Sequence, residues 1–180
     1  MNLQSINIGA LPNDGTGDSL REAFNKVNLN SAQLIAFTSS AADPVTPPTD
    51  QTIPVQHLNT ATGFRWNWNP AGLAWIPIPK KYVALLTQSG SAAPTAIILE
   101  NTLGGIPTWS RDEAGHYAMT LAGAFVQTKC GHTVSQPELC NCSVHWQSAD
   151  VMHVVTYNLV TNSKQDGYLD HTLIHVFVYP

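Results

Sequence analysis

Thr172-Leu173-Ile174-His175-Val176-Phe177-Val178-Tyr179 is the stretch on which the fold turns. Leu173, His175, Phe177 and Tyr179 alternate with Ile174, Val176 and Val178, the period of a strand and not of a helix. Both sets are largely apolar, so this strand is expected to be central and covered on both faces. Working back along the chain, similar segments fall at 152–158, 143–147, 116–122, 107–112, 95–100 and 82–88. Gly- and Pro-rich or polar breaks such as Gln88-Ser89-Gly90-Ser91, Gly104-Gly105 and 162–167 separate several of them. Short strands at this spacing predict an antiparallel β-sandwich or jelly roll over residues 80–180, and disfavour any α/β layout.

Ahead of this domain, residues 61–79 read as a small β-hairpin. Phe64, Trp66 and Trp68 alternate onto one face, and Asn69-Pro70-Ala71-Gly72 supplies the turn. A hairpin of this size is marginal alone, so Trp66, Trp68 and Trp75 must cover something. They form the module's own packing surface, or they contact a glycan or another copy of the chain. Residues 38–60 carry Pro44, Pro47, Pro48 and Pro54 among small polar residues and read as a linker. Residues 1–37 begin with a tight loop, Asn13-Asp14-Gly15-Thr16-Gly17-Asp18, where glycines and side-chain acceptors favour a defined turn. Ser19 and Glu22 then fit a capping box, and Leu20, Ala23, Phe24, Val27, Leu34 and Ile35 form one apolar stripe. A helix over about 19–37 is expected, and alone it cannot bury that stripe. The fold class is therefore mainly β: a loop–helix anchor, a Pro-rich linker, a Trp-rich hairpin and a sandwich.

The 180 residues suit one well-buried domain with an appendage. Only 11% of them are charged, and the net charge is −4 with His neutral. That fraction is far below the usual value of about 25%, and suits a chain that buries surface against copies of itself. The eight Lys and Arg residues are scattered, which argues against a nucleic-acid partner. No apolar run approaches the ~18–20 residues that span a bilayer, so membrane insertion is not expected. Met1-Asn2-Leu3-Gln4-Ser5 lacks the basic and apolar regions of a signal peptide, so synthesis and assembly in a cytoplasm are expected.

Three cysteines give no evident disulfide framework. Cys130, His132, Cys140, Cys142 and His145 invite a zinc reading, but Cys140-Asn141-Cys142 leaves one residue between its sulfurs where zinc pairs usually have two to four. If 140–146 is a strand, Cys140, Cys142, Val144 and Trp146 share one face and the thiols pack inward. His171 and His175 on a strand lie about 13 Å apart, too far for one ion. Asn13, Asp14 and Asp18 fail the spacing of a calcium loop and read better as turn and cap residues. With no nucleophile elbow, no H-E-x-x-H and no phosphate-binding loop, neither an enzyme nor a cofactor is expected.

Ile6-Asn7-Ile8-Gly9 followed by Pro12-Asn13-Asp14-Gly15-Thr16-Gly17-Asp18-Ser19-Leu20-Arg21-Glu22-Ala23-Phe24-Asn25-Lys26-Val27-Asn28 resembles an N-terminal segment of many tailed-phage structural proteins. There it precedes fibre, spike or decoration domains. The resemblance implies a virion-attachment role for Ile8, Asn13, Asp14, Gly15, Thr16, Gly17, Asp18, Leu20, Arg21, Phe24 and Val27. Where that family often continues Asn-x-Asn-Phe-x-Glu-Leu, this chain has Asn28-Leu29-Asn30-Ser31-Ala32-Gln33-Leu34. Tyr82-Val83-Ala84-Leu85-Leu86-Thr87-Gln88, Leu99-Glu100-Asn101-Thr102-Leu103-Gly104-Gly105 and Trp109-Ser110-Arg111 are similar to a small domain of other phage structural proteins. The expectation is a virion protein, assembled in the bacterial host cytoplasm, that docks on capsid, neck or tail and presents an oligomeric, most simply trimeric, β domain. A receptor- or glycan-binding module of the same virion is the alternative.

Overall fold

The structure, a computed structural model, describes residues 4–9, 15–32, 36–136 and 140–180. Leu20–Ala32 is the one α-helix among the described residues, α1. Its start follows the expected cap: the Glu22 amide donates to Ser19 Oγ at 3.3 Å, and the Ala23 amide to Ser19 O at 2.8 Å. The helix does not reach residue 37. Ala36–Ser40 is a strand, β1, in which Phe37 and Thr38 favour extended backbone and Ser39 and Ser40 are indifferent helix formers. Leu34 and Ile35 lie outside the described residues.

The chain divides into two compact units, Met1–Ile78 and Pro79–Pro180. In the first, β1 pairs in parallel with β2 (Val55–Asn59), which pairs antiparallel with β3 (Arg65–Asn69), and β3 with β4 (Ala74–Ile78). The expected hairpin is thus half of a four-stranded sheet in the order β1-β2-β3-β4. The expected linker is corrected accordingly: both of its ends are strands. A parallel pair needs a crossover of a dozen or more residues, usually a helix, and here the Pro-rich segment between β1 and β2 fills that role. Pro77 sits in β4, an edge strand, where a missing amide is tolerated.

The second unit is a sandwich of two antiparallel sheets. Its strands are β5 (Lys80–Thr87), β6 (Thr95–Asn101), β7 (Thr108–Glu113), β8 (His116–Thr120), β9 (Cys130–Val134), β10 (Cys140–Trp146), β11 (Val151–Asn158) and β12 (Thr172–Val178). The orders are β6-β5-β12-β9 and β10-β11-β8-β7. Three pairs, β5–β6, β7–β8 and β10–β11, join consecutive strands, so hairpins build the sandwich, not the two Greek keys of a jelly roll. Alternate residues face inward: Tyr82, Ala84 and Leu86 from β5, Ile174 and Val176 from β12, Tyr117 and Met119 from β8, Met152 and Val154 from β11. Phe125 and Leu169, from loops, complete the core.

Strand β12 is central, between β5 and β9, as its composition requires. Only one of its faces is covered, however. Ile174, Val176 and Val178 are buried, whereas Leu173 is exposed and His175 and Phe177 are half-buried. Gly131 of β9 stands opposite Phe177, and a Cβ there would lie 2.0 Å from the ring. The aromatic covers the glycine on this outer face. Gln136 treats the edge strand β10 as a further strand would: its amide donates to Cys142 O at 2.7 Å and accepts from Cys142 N at 2.8 Å.

One polar centre ties the sandwich together. Asp166 accepts from Arg111 Nη2 at 2.7 Å, from the Gly115 amide at 2.9 Å and from the Tyr117 hydroxyl at 2.9 Å. The Arg111 guanidinium is the first cause holding the Asp166 carboxyl down at about 2, and the Gly115 and Tyr117 donors act the same way. Burial pushes the Tyr117 hydroxyl well above its ordinary value, and the Asp166 charge adds to this.

Candidate functional site

The N-terminal motif folds back on itself. Residues 4–9 run beside α1 and are tied at both ends. The Asn7 amide donates to Asp18 Oδ2 at 2.9 Å, the Asp18 amide to Asn7 O at 2.8 Å, and Asn7 Nδ2 to Thr16 O at 2.8 Å. At the far end of the helix the Gln4 amide donates to Asn30 Oδ1 at 2.7 Å, and Asn30 Nδ2 to Gln4 O at 2.9 Å. Lys26 Nζ lies 2.7 Å from Asp18 Oδ2. That hydrogen bond, then the Asn7 amide, holds the Asp18 carboxyl below its usual range. Gly17 allows this close approach: a Cβ would stand 3.0 Å from Asn7 O, Ile8 C and Gly9 N, so that backbone would have to give by a few tenths of an ångström. Thr16, Gly17 and Asp18 therefore build the module, and Gly15 takes the left-handed backbone (φ 73°) its turn needs. Asn13 and Asp14 lie outside the described residues.

The helix consequently has two unlike faces. Ala23, Lys26 and Asn30, spaced three and four apart, are half-buried on the side of the tied contacts. Leu20, Phe24 and Val27 occupy another face and are left to solvent, Leu20 at 75% and Phe24 at 59% exposure. Ile8 is 89% exposed, and Arg21 is exposed as well. The helix is thus held by polar contacts on one side and leaves its apolar side exposed.

The tryptophan sheet is arranged differently. Trp66 and Trp68 of β3 and Trp75 of β4 share a face with His57 of β2, and the segment 43–51 lies across it. Each indole nitrogen donates to that segment: Trp66 Nε1 to Asp43 Oδ1 at 3.3 Å, Trp75 Nε1 to Thr46 O at 2.8 Å, and Trp68 Nε1 to Gln51 O at 3.1 Å. His57 Nε2 reaches Ala42 O at 3.1 Å, and Asn59 Nδ2 donates to Asp43 Oδ1 at 2.7 Å. The Pro-rich segment is thus a strap, and Trp68 beneath it is 3% exposed. Between strap and sheet runs a cleft of about 560 Å³ whose lining includes Asp43, Pro47, His57 and Trp75. Of the candidates for glycan or oligomer contact, Trp68 is buried and Trp66 and Trp75 are half-buried, with all three indole nitrogens bonded within their own unit.

The cysteines follow the packing expectation. Cys140 and Cys142 are buried on β10 beside Val144, Trp146 is half-buried, and all three thiols are free. Burial is the first cause pushing the Cys142 thiol up to about 12. Cys130 is half-buried and His132 exposed on β9, which belongs to the other sheet. Among the described residues these four do not converge as a ligand set. One group that the sequence reading missed does: Asp112, His116 and His153, whose ligand atoms lie within 4.8 Å of one another. Burial, and then the neighbouring His116, lowers the His153 pKa from its ordinary value. No local spacing signals this group, because its members come from three strands.

Compared with protein-family profiles, with curated proteins and with solved structures, the chain finds no match. Among the described residues no helix is long and apolar enough to cross a membrane.

Proposed function

We propose that the chain is a non-catalytic structural protein of a tailed-phage virion, which docks on capsid, neck or tail through α1 and presents its sandwich outward. The observation that carries this reading is the uncovered face of Leu20, Phe24 and Val27 on a helix whose other side is tied to residues 4–9. The likeness of roughly residues 6–35 to phage attachment segments supplies the setting. Association of the chain with copies of itself, as a trimer, belongs to the same proposal. It is supported by β6, an edge strand that leaves Ile97, Ile98 and Leu99 exposed in succession.

The test is a full-length Leu20→Glu, Phe24→Glu variant. Both side chains are exposed, so circular dichroism should match the wild type, while copies per purified particle should fall by at least about tenfold, a loss of ~1.4 kcal/mol in binding. Wild-type incorporation of a normally folded variant overturns the docking assignment. Sedimentation of the intact protein addresses association separately, with a mass near three chains expected.

A further inference from the structure

We propose that Asp112, His116 and His153 form a binding site for a divalent transition metal of the zinc class on the outer face of the β10-β11-β8-β7 sheet. His116 of β8 stands opposite Val155 of β11, and His153 of β11 opposite Ala118 of β8. The two histidines are therefore diagonal neighbours on one face, and their rings lie 4.3 Å apart between centroids. Tyr117, Met119, Met152 and Val154, in the alternate positions, fill the core. The histidines thus belong to the solvent side of the sheet. On that side Ala118 and Val155 are only 6% and 4% exposed, so the site has an apolar floor.

The carboxylate arrives by a different device. The β7–β8 register runs Arg111 opposite Tyr117 and Glu113 opposite His116, which leaves Asp112 as the extra residue of a bulge. Bulges re-aim a side chain, and this one brings Asp112 Oδ2 to 3.4 Å from His153 Nε2 and 3.8 Å from His116 Nδ1. A tetrahedral zinc ion bound at about 2.0–2.1 Å needs ligand atoms roughly 3.4 Å apart, so one edge of the site already has the required length. Glu113, the next carboxylate, pairs with Lys164 and also lies 3.9 Å from His116 Nδ1, but only Asp112 is near both imidazoles.

Two imidazoles and one carboxylate are a donor set that zinc and its first-row neighbours accept, and three protein ligands leave a position open to water. His145 faces His153 across β10–β11, but its Nε2 lies 2.9 Å from Ser143 Oγ on its own strand. The open position is therefore assigned to solvent and not to His145. An ion held there would join β7, β8 and β11 across the bulge.

The test uses the untagged full chain after chelator treatment, titrated with zinc chloride by calorimetry and with cobalt chloride by visible absorption. One zinc per chain, a cobalt spectrum with d–d bands, and a rise in melting temperature on saturation are expected. His116→Ala and His153→Ala should each weaken zinc binding by at least about tenfold, Asp112→Asn should also weaken it, and His145→Ala should leave it unchanged. Absence of stoichiometric binding overturns the site. So does retention of wild-type binding in the His116→Ala, His153→Ala double variant. Equal loss with His145→Ala overturns the ligand assignment, and loss in a Cys130, Cys140 and Cys142→Ser variant moves the ion elsewhere.

Discussion

Each unit has to cover the inner face of a four-stranded sheet, and the two units use different material. In the sandwich a second sheet covers the first. The covering groups are Tyr82, Leu86, Tyr117, Met119, Ile174 and other side chains out of water, and burial of each contributes roughly 1.5–3 kcal/mol. In the N-terminal unit the cover is the 43–51 strap. Two of the three inward residues of β2, His57 and Asn59, are polar and spend themselves on hydrogen bonds to that strap and its neighbour Ala42. Such bonds contribute only about 1 kcal/mol each net, because water competes for them. A sheet without a partner sheet can be closed by a segment too rich in proline to pair as a strand, with indole donors fixing its course.

If this contrast is right, truncation in the sandwich has the larger effect. Tyr82→Ala removes a fully buried ring and the partner of Trp109 Nε1, 3.2 Å away, and should cost about 4 kcal/mol in urea unfolding. A loss under about 1 kcal/mol would show that the sandwich tolerates a cavity at its centre. Trp68→Ala should cost less, about 3 kcal/mol, because the strap relaxes into the space. The loss should fall on the first unit: near-ultraviolet dichroism from Trp66 and Trp75 changes while the signals of Trp109 and Trp146 stay. Simultaneous loss of all four signals would erase the distinction.

The smallest effect sharpens the comparison by pH. Asp166→Asn should cost roughly 2 kcal/mol at neutral pH, as loss of hydrogen bonds to a charged group. Its folded pKa, lowered to about 2, means that the stabilisation is complete above the ordinary carboxylate value of about 4 and is lost as pH falls toward 2. Wild type and variant should converge over that interval. Parallel stability profiles down to pH 2 would remove Asp166 from the account.

Much of this architecture was legible because strands with one buried face announce themselves. The segments that became β5, β8, β10, β11 and β12 show it in Tyr82, Ala84 and Leu86 or their counterparts, whereas β6 and β7 hold no buried residue and were legible from the breaks that flank them. β9 escaped because Gly131, His132 and Thr133 carry no apolar alternation, and its place depends on Phe177 covering a glycine. β2 escaped for a related reason: His57 and Asn59 point inward but are polar, so a buried strand read as linker. The helix was overextended because Leu34 and Ile35 continue its period while Phe37 and Thr38 already belong to β1. In the N-terminal motif the stripe of Leu20, Phe24 and Val27 was readable, but the pairing of Gln4 with Asn30 was not. The Asp112, His116 and His153 cluster required knowledge of register and of a bulge, neither of which leaves a local mark.

The parallel pairing of β1 with β2 also gives the first unit a history. The β3–β4 hairpin closes on itself through a four-residue turn, on a scale of about 1–10 μs. β1 reaches its partner only after the whole crossover has been drawn in, at a larger entropic cost than the shorter β2–β3 and β3–β4 connections bear. Assembly is therefore expected to proceed from the C-terminal edge of the sheet toward the N-terminal one, and thermal opening to retrace it. The indole protons of Trp66 and Trp75 should exchange with deuterium before the backbone amides of β3 that pair with β4. The reverse sequence would mean that the strap is laid down before the sheet it crosses.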